Sequence, residues 1–147
     1  MNKAKIYDCI TFYNENFLTN LRFEILNEVV DYFIVCESKF DHKGEPKPIN
    51  FFLINNKFKD KVRHLIIEEQ FPDTNNGWAV ESYQREKIFN AIADAKEDDY
   101  ILFSDSDEIP NPKKLENLSF SNKFAIFLQQ FYVYKINIFN KFETPWE

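Results

Sequence analysis

The stretch from Tyr100 to Pro110 reads YILFSDSDEIP and changes character in its middle. Its first half, Tyr100 to Ser104, has the length and the apolar composition of a short buried strand. Three carboxylates follow within four positions, at Asp105, Asp107 and Glu108. Negative charge crowded at the end of a strand is typical either of a solvated loop or of a cation site, and the rest of the chain has to distinguish them.

The elements before this stretch alternate between strands and helices. Short β-rich runs predict strands over residues 6–12, 31–37 and 62–67. Apolar residues at helical spacing predict amphipathic helices over residues 17–29 and 79–96. The apolar positions that define the two helical faces are Leu18, Leu21, Ile25 and Val29, then Ile88, Ala91, Ile92 and Ala95. The alternation predicts a Rossmann-like α/β fold, a mostly parallel sheet with helices on both faces.

Three segments give weaker signals. Residues 38–50 are rich in turn formers, and residues 51–58 are ambiguous but compatible with a short helix. Residues 124–139 alternate with many aromatics and predict one or two strands. The chain shows no repeat or linker, so a single domain over residues 1–147 is expected.

Composition excludes several functions. The formal net charge is -6 and the basic residues are scattered, which argues against a nucleic-acid surface. Only two glycines occur, so a glycine-rich phosphate loop is excluded. Cys9 and Cys36 lie in apolar runs and are expected to be core thiols of a cytoplasmic protein. No segment is long enough to be a membrane span.

Polar side chains follow three of the predicted strands. Asn14 and Glu15 follow the first, Glu37 ends the second, and Asp105 and Asp107 follow the fourth. Ligands of parallel sheets bind outside the carboxyl ends of the strands, so these groups predict a polar ligand site. Carboxylate oxygens suit Mg²⁺ or Mn²⁺, which also bind the oxygens of a diphosphate.

Two other acidic sites fit the stretch poorly. A calcium loop of the EF-hand type needs glycine at its sixth position, where this chain has Pro110. A phosphatase of the haloacid dehalogenase type usually carries its D-x-D pair after the first strand, followed by Gly-Thr or Gly-Val. Here the pair follows the fourth strand and precedes Glu-Ile, so a phosphatase is not favoured.

Four collinear blocks of the chain resemble glycosyltransferase family 17. They are FYNENFLTNLRFEILNEVVDYFIVCES at residues 12–38, FDHKGEPKP at 40–48, WAVESYQREKIFNAI at 78–92 and DDYILFSDSDEIPNP at 98–112. Each block is weak by itself, but their shared order makes the resemblance fairly specific.

The resemblance implies a GT-A-type fold, a UDP-sugar donor such as UDP-N-acetylglucosamine, a glycan or other hydroxyl acceptor, and transfer with inversion. It also implies a Mn²⁺ or Mg²⁺ cofactor held by the D-x-D pair. Asp107 is then the expected direct metal ligand, and Asp105 is expected to contact the ribose or the metal. Glu108 is expected to bind the metal through water or to orient the loop.

The donor-binding residues implied by the resemblance lie in three other places. Glu37 takes the usual position of an acid near the base or ribose, and Asn14 and Glu15 lie where the first loop approaches the nucleotide. Arg85 is expected either to reach the diphosphate or the acidic loop, or to pair with Glu81 one helical turn earlier.

An inverting transferase also needs a general base for the acceptor hydroxyl. In GT-A enzymes that base follows the D-x-D well along the chain, so the resemblance places it beyond Glu147. We therefore expect a C-terminally incomplete domain: a truncated chain, a partial gene product or a degenerate relative. Two alternatives stay open: a non-catalytic module that binds nucleotide sugars or glycans, and a metal-dependent nucleotidyltransferase.

Overall fold

The computed structural model describes residues 3–116, 118–120, 123–130, 132, 138 and 139. It divides the chain into two compact units, residues 1–109 and residues 110–147. The first unit contains the sheet and the acidic loop. The single domain expected over residues 1–147 stays a prediction.

The first unit alternates strands and helices. In chain order its elements are β1 (Ile6–Phe12), α1 (Asn16–Leu26), β2 (Tyr32–Ser38), β3 (Val62–Ile67), α2 (Gly77–Ile88) and β4 (Tyr100–Ser104). Two 3₁₀ turns, Asn56–Phe58 and Phe89–Ala91, lie between them. The second unit contains a short helix, α3 (Pro112–Leu115), and an isolated antiparallel bridge between Tyr132 and Phe139.

The four strands form one parallel sheet in the order β3-β2-β1-β4. This confirms the predicted Rossmann-like α/β class. The chain runs from β1 outward to β3 and then crosses back to place β4 on the other side of β1. The carboxyl edge between β1 and β4 is therefore the topological switch point, where such sheets bind ligands.

Helices cover both faces of the sheet, as predicted. Because side chains alternate along a strand, Cys9 and Ile34 lie on one face, in a core cluster with Ile88 of α2. On the other face Phe33 packs against Phe23 of α1, with their ring centroids 4.5 Å apart. Burial of each such side chain contributes about 1.5–3 kcal/mol, so the two cores bring α1 and α2 to opposite sides of β1 and β2.

The predicted boundaries agree closely for the strands. Three predicted strands match β1, β3 and β4, while the predicted strand over residues 31–37 begins one residue before β2. The helix predicted over residues 79–96 is shorter, because α2 ends at Ile88 and a 3₁₀ turn follows. Its predicted apolar face is correct: Ile88 and Ile92 are buried in the core cluster.

The predicted face of the first helix is wrong at its centre, although Leu18 is half-buried and Val29, just beyond the helix, is buried. Leu21 and Ile25 are each 40% exposed, whereas Arg22, Phe23 and Leu26 are buried. The helix is rotated because Arg22, a charged residue, has a carboxylate partner inside the sheet and is therefore buried in place of its apolar neighbours.

The weaker sequence signals have mixed outcomes. Residues 51–58 form only the turn Asn56–Phe58, and no strand is present over residues 124–130. Apart from Tyr132, Ile138 and Phe139, the rest of the predicted 124–139 strand region lies outside the described residues. Cys9 and Cys36 are buried free thiols, as expected. Within the described residues, no helix has the length and apolar character that a bilayer crossing requires.

Candidate functional site

The acidic loop, residues 105–108, begins directly after β4 at the switch point. Ser104 is paired with Ile10 of β1, so the acidic loop emerges beside the end of β1 and the segment that follows it. Asp105 and Asp107 are exposed, while Ser106 between them is 9% exposed. Because exposed and buried residues alternate here, both aspartate carboxylates lie in solvent at the place where ligands of such sheets bind.

Hydrogen bonds within the acidic loop close it into a tight turn. The Glu108 N–H donates to the Asp105 carbonyl at 3.1 Å, and the Ile109 N–H donates to the Asp107 carbonyl at 3.1 Å. The Glu108 carboxylate accepts from the Asp105 N–H at 3.0 Å. Glu108 therefore orients the loop, which is one of the two roles expected for it, and its role at a metal stays a prediction.

Arg22 supports the acidic loop from the interior of the unit. Its side chain is only 1% exposed, and its guanidinium makes two 2.7 Å hydrogen bonds to the Asp8 carboxylate. It also donates to the Ser104 hydroxyl at 2.6 Å and to the carbonyls of Asp105 and Glu108 at 3.0 and 3.1 Å. A guanidinium has five N–H donors, and these five contacts use them all.

Sequence reasoning missed Arg22, although a signal was present. Asp8 stands inside the apolar strand run IYDCITF, and Arg22 stands between Leu21 and Phe23 in a helix. Two opposite charges embedded in apolar segments indicate a buried pair, because an unpaired charge is rarely buried.

Arg85 makes both of the contacts expected for it within the protein, one with the acidic loop and one with Glu81. Its guanidinium lies 3.7 Å from the Asp105 carboxylate and 3.9 Å from that of Glu81. Its side chain is 51% exposed, so these are long, solvated ion pairs. Arg85 is therefore placed beside the acidic loop, and its contact with a diphosphate stays a prediction.

The acidic loop presents two solvent-exposed carboxylates, which are too few to coordinate a metal ion completely. The side chain of Asp105 is 61% exposed, and Asp107 is exposed as well. Over the described residues, no three histidine, cysteine, aspartate or glutamate side chains converge in a way that could hold a metal ion. This donor set fits Mg²⁺ or Mn²⁺ bound through one or two carboxylates, with the remaining ligands supplied by phosphate and water.

Glu37 lies two strands away from the acidic loop and is fully buried. Its carboxylate accepts hydrogen bonds from Lys47 at 2.8 Å, from the backbone N–H groups of Asn50 and Phe51 at 2.7 and 3.1 Å, and contacts the His64 ring at 3.1 Å. Burial alone would raise the pKa of Glu37, but the Lys47 and backbone hydrogen bonds outweigh it and lower that pKa. Its described role is to hold the segment after β2, and contact with a nucleotide stays a prediction.

A small open cleft of about 110 Å³ lies at the carboxyl ends of β1 and β2. Its lining combines aromatic rings with hydrogen-bonding groups: Thr11, Phe12, Tyr13, Glu15, Phe40, His42, Lys47 and Gln84. Glu15 accepts from the backbone N–H groups of Tyr13 and Asn14, which fixes the turn at its rim. Gln84 precedes Arg85 on α2, so the helix that lines the cleft also reaches the acidic loop.

Fold and site together define a Rossmann-like α/β unit with an anchored acidic loop at its switch point. A sequence model described as "Glycosyltransferase family 17" matches residues 1–144. The chain belongs to this family.

The chain is also similar to curated proteins named beta-1,4-mannosyl-glycoprotein 4-beta-N-acetylglucosaminyltransferase. The proteins from Rattus norvegicus, Homo sapiens and Mus musculus are each 32% identical to it over an alignment that covers 72% of this chain. The alignment spans only 22% of each relative. No solved structure matches the chain.

Proposed function

We propose that this chain is the donor-binding part of a metal-dependent glycosyltransferase of GT-A type. The donor is a UDP-sugar, with N-acetylglucosamine as the sugar, and the acceptor is a hydroxyl of a glycan. Family membership gives the reaction class, and the names of the relatives suggest the sugar. The observation that carries the proposal is the acidic loop, held with its two aspartates exposed at the switch point beside a polar cleft.

The negative charge of the acidic loop supports the binding of a cation at this site. A diphosphate brought to the exposed carboxylates of Asp105 and Asp107 would be repelled by them. Bound Mg²⁺ or Mn²⁺ would offset this repulsion and stabilise the negative charge that develops on the departing diphosphate. Arg85, 3.7 Å from Asp105, provides a second positive group at the same edge.

Different residues of the unit contact different parts of the donor. The aspartates of the acidic loop face the diphosphate end, and Arg85 stands beside them to contact its oxygens. The cleft lined by Thr11, Phe40 and His42 receives the nucleoside end, where rings can stack and the polar groups can donate or accept. Asn14 and Glu15 shape the turn at the rim of this cleft.

In the proposed reaction the acceptor oxygen bonds to the anomeric carbon on the face opposite the diphosphate. The bond from that carbon to the diphosphate oxygen breaks, UDP leaves, and the hydroxyl proton passes to a general base. The proposal assigns donor binding to the described residues and places the general base outside them.

Calorimetric titration with UDP, with and without Mn²⁺, tests donor binding. We expect wild-type protein to bind UDP more tightly when Mn²⁺ is present, and Asp107→Asn to lose at least about tenfold of that affinity. Asp60→Asn is the matched control, since Asp60 is an exposed aspartate just before β3, at the opposite edge of the sheet. Equal binding by wild type and Asp107→Asn would refute the metal bridge.

Turnover separates the three remaining classes. Glycoside formed from UDP-N-acetylglucosamine and a panel of sugar acceptors identifies a transferase. Donor binding without product identifies a non-catalytic module, and release of pyrophosphate from a nucleoside triphosphate identifies a nucleotidyltransferase.

A further inference from the structure

Among the described residues, Arg22 is the one fully buried side chain whose hydrogen bonds connect three elements around the switch point. It belongs to α1, its carboxylate partner Asp8 lies on β1, and its other acceptors are Ser104 of β4 and the acidic loop. Neither Arg22 nor Asp8 faces solvent as a ligand-binding side chain would require, because the two residues are 0% and 1% exposed. A role in direct ligand contact is therefore excluded for both.

The contacts of Arg22 with the acidic loop are made to main-chain carbonyls. They reach Asp105 and Glu108, the first and last residues of the loop. The same Asp105 carbonyl also accepts the Glu108 N–H that closes the turn. Arg22 thus fixes both ends of the loop without using the carboxylates of Asp105 and Asp107, which stay on the solvent side.

Asp8 balances the charge that this anchor introduces. The guanidinium spends two of its five N–H groups on the Asp8 carboxylate, in the bidentate geometry that stabilises such pairs most strongly. The pair is therefore neutral as a whole behind the acidic loop. A cation bound in front of the loop would meet a rigid frame of carboxylates rather than an uncompensated positive charge.

From this geometry we infer that Arg22, with Asp8, is a positioning residue that holds the acidic loop in the shape that binds a cation–diphosphate pair. The inference rests on the proposed function for the identity of the ligand. Its physical basis is independent of the ligand: an anchored loop loses little conformational freedom on binding, so binding is tighter than it would be for a mobile loop.

Two variants test the anchor. Arg22→Lys keeps a positive charge opposite Asp8, but an ammonium group has three N–H donors and cannot reproduce the planar five-donor pattern. Asp8→Leu with Arg22→Met removes both charges, because removing one partner of a buried pair can prevent folding, whereas replacing the pair by apolar residues is often tolerated. Arg63→Lys is the matched control, since Arg63 pairs with Asp94 near the opposite edge of the sheet.

The first measurement is amide hydrogen exchange in the ligand-free protein. For Arg22→Lys and for the double variant we expect the N–H groups of Asp105, Glu108 and Ile109 to exchange at least about tenfold faster, as for the loss of one charge-assisted hydrogen bond. Exchange in β2 should be unchanged, and Arg63→Lys should leave the acidic loop as in wild type. Equal loop exchange in the folded variants and wild type would overturn the inference.

The second measurement is UDP titration with Mn²⁺. We expect the affinity of the folded double variant to fall about tenfold to a hundredfold, the range seen when a group that orients a metal ligand is removed. Unchanged affinity would overturn the inference. If wild type itself fails to bind UDP with Mn²⁺, the proposed function falls, while the exchange comparison still decides whether Arg22 holds the loop.

Discussion

Lys47 donates a hydrogen bond of 2.8 Å to Glu37, and both side chains of this pair are largely removed from solvent, at 8% and 0% exposed. Glu37 ends β2, and Lys47 lies in the irregular segment that follows. The backbone N–H groups of Asn50 and Phe51 converge on the same carboxylate. One buried side chain thus fixes the course of a segment that has little secondary structure of its own.

Replacement of Glu37 by glutamine tests this role. The amide keeps the size of the side chain but presents an NH₂ group to donors that need an acceptor, so we expect the free energy of unfolding to fall by about 1–3 kcal/mol. Urea denaturation measures it. The control is Glu68→Gln, because Glu68 pairs with Lys39 in solvent and should change stability by no more than about 0.5 kcal/mol. Equal losses in both variants would contradict the role assigned to Glu37.

Stability should fall as the pH is lowered, first through His64 and then through carboxyl groups with lowered pKa values, Glu37 among them. Burial, opposed by the Glu37 carboxylate, lowers the pKa of His64 below its ordinary value of 6.5, and the pKa of Glu37 is also lowered. Each group binds its proton more readily in the unfolded chain, so its contribution is present above the unfolded-state pKa and is lost as the pH falls toward the folded-state pKa. The loss begins near pH 6.5 for His64.

Unfolding experiments between pH 7.5 and about pH 4 check this dependence. In His64→Gln the decline that begins near pH 6.5 should be absent, while the decline due to Glu37 and the other carboxyl groups with lowered pKa values, which begins near pH 4.5, should remain. A variant with the full wild-type profile would show that His64 does not contribute.

The two glycines of the chain should respond oppositely to alanine. Gly44 has φ of +84°, and a Cβ there would lie 3.0 Å from the Thr74 methyl carbon, so Gly44→Ala should cost about 1–2 kcal/mol. Gly77 begins α2 and has open space around it, so Gly77→Ala should be neutral or stabilising by up to about 1 kcal/mol. Thermal unfolding of the two variants compares them, and a loss at Gly77 equal to that at Gly44 would refute the assignment.

Arg85 should influence metal and diphosphate in opposite directions. Its positive charge near Asp105 disfavours a cation and favours an anion. We therefore expect Arg85→Gln to bind Mn²⁺ alone at least as tightly as wild type, but to bind UDP with Mn²⁺ more weakly. Stability should change by no more than about 0.5 kcal/mol, because the pair is exposed.

Lys87→Gln serves as the control for Arg85. Lys87 lies on the same helix but pairs with Glu69, away from the acidic loop. Calorimetric titrations should leave its affinities as in wild type. A parallel weakening of both ligands in Arg85→Gln would indicate a general disturbance of α2 rather than an electrostatic effect.

The strands could be predicted because their signals are local. The runs that became β1, β3 and β4 are short, apolar and bounded by polar residues, so composition alone was enough. The parallel direction of the strands was predicted from their alternation with helices. The position of the acidic loop at the ligand-binding edge of the sheet was then predicted from that parallel direction. These steps need no knowledge of which side chains touch.

The rotation of α1 could not be predicted in the same way. The spacing of Leu21 and Ile25 favoured one face, but the buried face is set by the pairing of Arg22 with Asp8, fourteen positions earlier. The partners of Glu37 could not be predicted for a similar reason: its donors are Lys47 and two backbone N–H groups that only the folded segment brings to it. Where a charge is neutralised by a distant partner, the local pattern can indicate that the charge is buried, but it does not identify the partner.

The contacts of Arg22 also set an order of events during folding. Arg22 is 14 residues from Asp8 but 83 and 86 residues from Asp105 and Glu108. Contacts of long sequence separation close later than local ones, so we expect pulse-labelled refolding to show protection of the Glu108 N–H only once β4 has joined β1. An intermediate that lacks β4 could hold the core of α1 and β1 and still have no acidic site, so the protein gains its acidic loop only when the last strand of the sheet is in place.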